Sequence, residues 1–196
     1  MKYFNWIHNV LGIAILLALS QAATAQTSYK IGENSVMHLK GTSSVRNWGM
    51  ITRSFAGTAS FTLDSDHRLR SITGFSLSVP VHSLKSTSRG IEKDAYTALK
   101  ADQFDTISFA LTSASFIASG YNRYLILLHG NLTMAGVTRA TTLHASAAFN
   151  SDGTISCRGS LPLSFSNYEM VRPSFLLGTM KVHDAMTLDY SLELIQ

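Results

Sequence analysis

The chain has 196 residues, 45% of them hydrophobic and only 14% charged, with 16 Lys and Arg against 12 Asp and Glu for a formal charge of +4. A soluble domain is ordinarily about 25% charged, so this composition excludes a disordered tail, a coiled coil and a long charged helix. No stretch holds the five or more clustered Lys or Arg of a nucleic-acid or membrane-surface patch, and the length suits one domain with one core.

The N-terminus reads as an export signal. Lys2 supplies a positive start, Val10–Leu19 is an unbroken apolar run, and Ala23-Thr24-Ala25 gives the small-x-small pattern of a cleavage site. The run is too short for a bilayer span, which takes about 20 residues. An uncleaved anchor is the rival reading; cleavage near Ala25 implies the periplasm or secretion. The expected organisation is a signal peptide over 1–25 and a single domain over 26–196. Cys157 is the sole cysteine, so no internal disulfide and no thiolate metal cluster can form, and a small core residue is its simplest role.

After residue 25 the dominant signal is period-two alternation, which sends successive side chains to opposite faces of a strand. A first strand falls near Val36–Gly41. In Ile51–Leu63 the odd positions, beyond Arg53, are apolar or small (Ile51, Phe55, Gly57, Ala59, Phe61, Leu63) and the even positions are Thr, Ser and Ala, predicting one strand with its odd face inward. Phe75, Leu77, Val79 and Val81 form the next apolar face, then Ile107, Phe109 and Leu111. After Thr112 the apolar phase moves to Ala114, Phe116 and Ala118, the mark of a bulge. Tyr121–Met134 is apolar on both faces through Leu125–Leu128, predicting a cover over its outer side. The last three runs place inward Val137, Leu143, Ala145, Ala147 and Phe149, then Ile155, Cys157, Leu161, Leu163 and Phe165, then Met186, Leu188, Tyr190, Leu192 and Leu194.

Turn residues (Asp64-Ser65-Asp66, Ala135-Gly136, Ser151-Asp152-Gly153) separate these runs. Ser88–Ala101 alone has helical spacing, with Ile91, Ala95, Ala98 and Leu99 on one face and Ser88 available as N-cap. The fold expected is all-β: a closed antiparallel barrel of about eight strands, lipocalin-like, with one short helix inserted between strands. Closure removes the two exposed edges an open sheet would leave.

Catalytic patterns are hard to find. His38, His67, His82, His129, His144 and His183 share no metal-ligand spacing, and there is no nucleophile elbow, Walker loop or dinucleotide fingerprint. Glu169 and Asp184 stand near His183 only in the sense that distant triads are not excluded by spacing. The expectation is no enzyme, no metal and no cofactor. Small inward residues (Gly57, Ala59, Ala145, Ala147, Cys157, Gly159) sit beside Phe55, Phe61, Phe75, Phe109, Phe149 and Phe165; this fits either a packed interior or an apolar cavity for an apolar guest.

Gly41-Thr42-Ser43-Ser44 followed by Trp48 resembles the opening of the YceI-like family. So do Phe55-x-Gly57, Val79-Pro80-Val81-x-x-Leu84-Lys85-Ser86, Tyr96-x-Ala98-Leu99-Lys100-Ala101-Asp102, Ile107-Ser108-Phe109, Leu132–Thr138 and Phe175–Lys181. The resemblance runs from Tyr29 to Leu194. It implies an extended antiparallel barrel whose apolar tunnel binds polyisoprenoids or similar amphiphiles in the bacterial periplasm. Two departures stand out: Arg46-Asn47 where many relatives have His-Asp, and Asp105-Thr106 where many have Pro. Combined with the inward faces, the resemblance makes Trp48, Phe55, Ala59, Phe61, Phe75, Leu77, Phe109, Leu111, Ala145, Ala147 and Cys157 the candidate guest-lining residues. The partner expected is an isoprenoid, isoprenoid quinone or related lipid for transport or storage, with no nucleic acid and no stable membrane insertion; a homodimer is left open. A small outer-membrane barrel and a secreted enzyme with an unrecognised site are the competing readings.

Overall fold

The computed structural model describes residues 26–175 and 180–196; the expected signal peptide and the middle of the Phe175–Lys181 loop lie outside the described residues. The strands are β1 (Gln26–Ile31), β2 (Val36–Ser43), β3 (Asn47–Thr52), β4 (Ala56–Leu63), β5 (Leu69–Pro80), β6 (Thr106–Gly120), β7 (Arg123–Met134), β8 (Val137–Phe149), β9 (Ile155–Ser164), the two-residue β10 (Ser174–Phe175) and β11 (Met180–Ile195). A helix, α1 (Arg89–Ala98), is inserted between β5 and β6.

All pairings are antiparallel, in the order β1-β4-β5-β6-β7-β8-β9-β11-β2-β3. β1 and β2 lie along the same edge of β11, through Lys30↔Ile195 and Val36↔Ser191. They are two halves of one bent strand. Its partner is bent in the same way: Tyr29 faces Ala59 across β1 and β4, and Leu39 faces Met50 across β2 and β3. Counted this way, eight strands close into a ring, and the expected antiparallel barrel stands. Ile51 and Lys85 exchange two backbone hydrogen bonds of 2.8 Å, fastening β3 to the segment after β5.

The bend between β1 and β2 interrupts the ladder, and Ser35 repairs it. The Gly32 N–H donates to the Glu193 carbonyl at 2.7 Å. The Glu193 N–H donates to the hydroxyl of Ser35, which is fully buried, at 3.1 Å. Ser35→Ala leaves that buried N–H without its acceptor. The expected loss is about 1–3 kcal/mol, read by chemical denaturation; an unchanged midpoint would show that another acceptor serves.

The expected single strand over Ile51–Leu63 is corrected in its first half. Arg53–Phe55 belong to no strand, and across them the buried phase slips by one residue. Met50 and Thr52, both even, are buried in β3, whereas Ala59 and Phe61 are buried in β4. The opposite strand keeps one phase, with Tyr29, Met37 and Leu39 all inward, so the extra residue lies in the Arg53–Phe55 segment alone. Ile51 consequently turns away from the core. Buried Thr52 is satisfied by the Ser83 hydroxyl at 2.8 Å and by the Ser54 N–H at 3.1 Å.

The bulge expected after Thr112 is present: the β6–β7 register shifts between Leu111 and Ser113, and the Thr112 hydroxyl donates to the His129 carbonyl at 2.9 Å. The Ala135-Gly136 turn has positive φ at both positions, 53° and 82°, the two-residue geometry that suits a right-twisted hairpin. The outer cover expected over Leu125–Leu128 is absent among the described residues. Leu125 and its cross-strand partner Ile117 are 48% and 66% exposed; the apolar doubling forms a surface strip.

Candidate functional site

An antiparallel meander delivers its connections alternately to the two ends of the barrel, and the two ends differ here. At one end the turns β4–β5, β6–β7 and β8–β9 surround an open polar depression, beneath which aromatic rings form a floor. Tyr29 meets Phe61 edge-on at 5.5 Å, Phe61 meets Phe149 at 5.7 Å, and Phe149 meets Tyr124 at 5.4 Å. The Tyr124 hydroxyl accepts the Leu69 N–H at 3.1 Å, which ties the floor to β5.

The other end holds a cavity of about 310 Å³ beneath α1. The helical stripe Ile91, Ala95, Ala98 and Leu99 forms its roof, as an inserted amphipathic helix must bury its apolar face somewhere. Leu39, Met134, Val182 and Met186 rise from the ends of β2, β7 and β11 to form its walls. Trp48 and Phe165 meet at 6.2 Å on one side, and Met170 and Pro173 close another.

Ser88 occupies the N-cap position of α1 but its side chain makes no capping bond. The helix is held instead by Tyr96, whose hydroxyl donates to the Leu84 carbonyl at 2.7 Å and accepts from the Lys85 ammonium at 3.1 Å. That bond holds the Lys85 pKa above its usual value.

The Gly-Thr-Ser…Trp spacing has a physical reason. Gly41 and Trp48 are cross-strand partners, and the indole lies over Gly41 so closely that a Cβ there would overlap the ring. The indole N–H donates to the Thr42 carbonyl at 3.3 Å. Trp48 is half-buried, set at the mouth rather than in the core.

One step further along the same strands, Met37, Leu132 and Leu188 begin a second, inner space of about 60 Å³ that reaches down to Phe61. That is room for about two waters, at roughly 30 Å³ each. The barrel is therefore packed through its middle and open beneath its helix.

Of the candidate lining residues, Trp48 lines the mouth cavity, and Phe61, Phe75, Leu77, Phe109, Ala145 and Cys157 line the inner space. The other four line neither. Ala59 stands between its register partners Tyr29 and Phe75, and Ala147 between Tyr124 and Cys157, so large neighbours already occupy the room beside each alanine. Phe55 falls in the slipped segment, and Leu111 lies beside the β6 bulge; both are half-buried. The sequence reading did not count the α1 stripe as part of the site. Its signal was visible: an apolar face on the one helix of an all-β domain.

The site offers little for acid–base or metal chemistry. Burial pushes the Cys157 thiol up to about 12, which leaves it protonated and unreactive. Burial also raises the Asp94 carboxyl at the rim of the mouth, against the influence of Lys93. Among the described residues no three His, Cys, Asp or Glu side chains gather as a metal site.

A family model described as the YceI-like domain matches residues 21–194. Solved structures share the fold. BcnA of Burkholderia cenocepacia is 16% identical, with 81% of this chain and 95% of that one covered at a TM-score of 0.64. A polyisoprenoid-binding domain from Saccharophagus degradans, implicated in plant cell wall breakdown, is 9% identical, with 87% and 99% covered at 0.64. A Campylobacter jejuni YceI protein is 15% identical, with 72% and 81% covered at 0.52. No curated protein matches the sequence.

Proposed function

The chain belongs to the YceI-like family, and from that premise we propose that it is a non-catalytic carrier of a long-chain isoprenoid or related lipid, exported to the periplasm for transport or storage. The observation that carries this reading is the apolar mouth cavity beneath α1, stacked on the inner space along the barrel axis. Its volume is at the lower end of the roughly 300–1,000 Å³ of small-molecule sites, so it takes part of a long chain. The rest would have to open the packed middle of the barrel. Met37, Met134, Met170 and Met186 line the two spaces, and unbranched thioether side chains reshape readily around a guest.

The orientation of the faces argues against the outer-membrane alternative. A membrane barrel turns its apolar band to lipid and its polar residues inward. Here the buried inward residues of β7, β8 and β11 are apolar, while the opposite faces carry Asn131, Thr142, His144 and Asp189. Export is supported by Lys2, the Val10–Leu19 run and Ala23-Thr24-Ala25, and periplasmic fractionation tests it.

Native mass spectrometry of the purified protein, followed by lipid extraction, tests the carrier reading. A retained lipid of long apolar chain is expected, and repeated recovery of empty protein from cells rich in such lipids would sink the proposal. Two substitutions sharpen it. Ala95→Leu adds apolar volume to the mouth cavity from a half-buried position; guest retention should be lost while the melting temperature stays nearly constant. Ala147→Leu adds the same volume under Tyr124, where none is free, and should cost about 1–3 kcal/mol through overpacking. Equal thermal shifts for the two would mean that the mouth is as filled as the core.

A further inference from the structure

We propose that the rim of the mouth is a docking surface for an anionic lipid membrane. Three segments frame the opening: Ser44–Arg46 between β2 and β3, Ser88–Gly90 at the start of α1, and Val171–Pro173 ahead of β10. Backbone hydrogen bonds hold two of them to the start of β11. The Ser44 N–H donates to the Lys181 carbonyl at 3.0 Å, and the Val182 N–H donates to the Pro173 carbonyl at 3.3 Å. The tips of those two segments are apolar and turned to solvent, with Val45 64% and Val171 78% exposed. Beside each stands a cation: Arg46 follows Val45, Arg172 follows Val171, Lys181 lies against Ser44, and Arg89 completes the frame.

No stretch of sequence holds this cluster, because the four cations come from four separate segments that the fold brings to one end. The carboxylates nearby are Asp94 and Glu92 on α1, Glu169 and Asp184. Glu92 pairs with Lys85 at 3.9 Å and Glu169 with Arg139 at 3.4 Å, while Asp184 accepts from the Ser166 hydroxyl and N–H and lies within the field of Arg172. The far end carries no such excess of cations. Asp64, Asp66 and Asp152 line its depression with Arg123, Arg68 is exposed in the same turn, and the Arg70 cation is held by Asp64 at 2.8 Å. An anionic surface therefore attracts the mouth end more strongly than the far end. Four cations around two exposed valines match a surface-bound, non-inserted mode, in which short apolar tips enter the headgroup layer and the charges bind anionic lipid. Docked this way, the mouth would face the bilayer that supplies or receives a guest. The inference rests on the carrier reading for its purpose, and on the rim alone for its geometry.

Co-flotation of the purified protein with vesicles tests it. The protein should float with vesicles of equimolar phosphatidylglycerol and phosphatidylcholine at low salt, far less in high salt, and hardly at all with phosphatidylcholine alone. The double substitution Val45→Asp with Val171→Asp, and separately Arg172→Gln with Lys181→Gln, should lower the floating fraction to the phosphatidylcholine level with the melting temperature unchanged. No flotation on anionic vesicles, equal flotation on both kinds, or wild-type flotation of the valine variant would overturn the proposal. So would a loss confined to Ile117→Asp with Leu125→Asp, which would move docking to the side of the barrel. Protein that floats but never holds a lipid refutes the carrier and spares the docking surface; lipid-loaded protein that does not float does the reverse.

Discussion

Phe61→Asp should leave the protein largely unfolded, whereas Thr58→Asp, three residues earlier on the same strand, should be nearly silent. Phe61 is 4% exposed, packed edge-on between Tyr29 and Phe149 in the floor of the barrel. An aspartate there loses the aromatic contacts and places a carboxylate where no cation reaches it. Such a group either ionises against a low dielectric or takes up a proton, and both cost stability. A loss of about 4–5 kcal/mol or more is expected, the extreme of what single substitutions do. That is a large part of the roughly 5–15 kcal/mol that holds a domain folded. Thr58 faces solvent, where its hydroxyl shares an exposed hydrogen bond with Ser76. Thermal unfolding of the pair is the check, and comparable midpoints would mean that the inward face of β4 is misassigned.

Gly159→Ala is expected to cost about 3 kcal/mol, far more than an added methyl suggests. Gly159 on β9 is flanked by Ala145 of β8 and Tyr190 of β11. The Tyr190 ring lies across it, and its hydroxyl donates to the His144 carbonyl at 2.9 Å. A Cβ at this position would overlap both that carbonyl oxygen and the ring. The carbonyl is fixed in the β8–β9 ladder and cannot withdraw, so the ring must. Overpacking of about 1–3 kcal/mol then adds to about 1 kcal/mol for the lost hydrogen bond. Burial keeps the Tyr190 phenol protonated by raising its pKa, so this bond persists across the physiological range. If Gly159→Ala melts like the wild type, the ring has an alternative resting place that costs nothing.

The parts of this fold legible in the sequence are those where a local pattern and a tertiary demand coincide. Alternation in β8, β9 and β11 identified their inward residues because one face is polar and the other apolar over most of their length. The bulge at Thr112 was legible because the apolar residues themselves changed phase. The slip at Arg53–Phe55 was not: Thr52 is buried without being apolar, satisfied by Ser83, so the pattern ran smoothly across the break. β1 was missed for a related reason, since its chief core contribution is the single Tyr29. Small inward residues do not by themselves separate empty volume from close packing. Ala59 and Ala147 are small because Tyr29, Phe75 and Tyr124 stand beside them, whereas the open space lies under a helix whose own stripe forms the roof.

The last strand of the barrel decides when folding can finish. β11 holds β9 along one edge and both β2 and β1 along the other, from Val182 to Ile195. A nascent chain lacking it can form the β4–β9 meander and pair β1 with β4, yet it has no closed core, and the edges of β2 and β9 stay open. The closing contacts join residues near opposite ends of the sequence, such as Lys30 and Ile195, and long loops of this kind are slow to close. Synthesis will therefore outrun completion of the fold. The barrel cannot close until its final strand has been made.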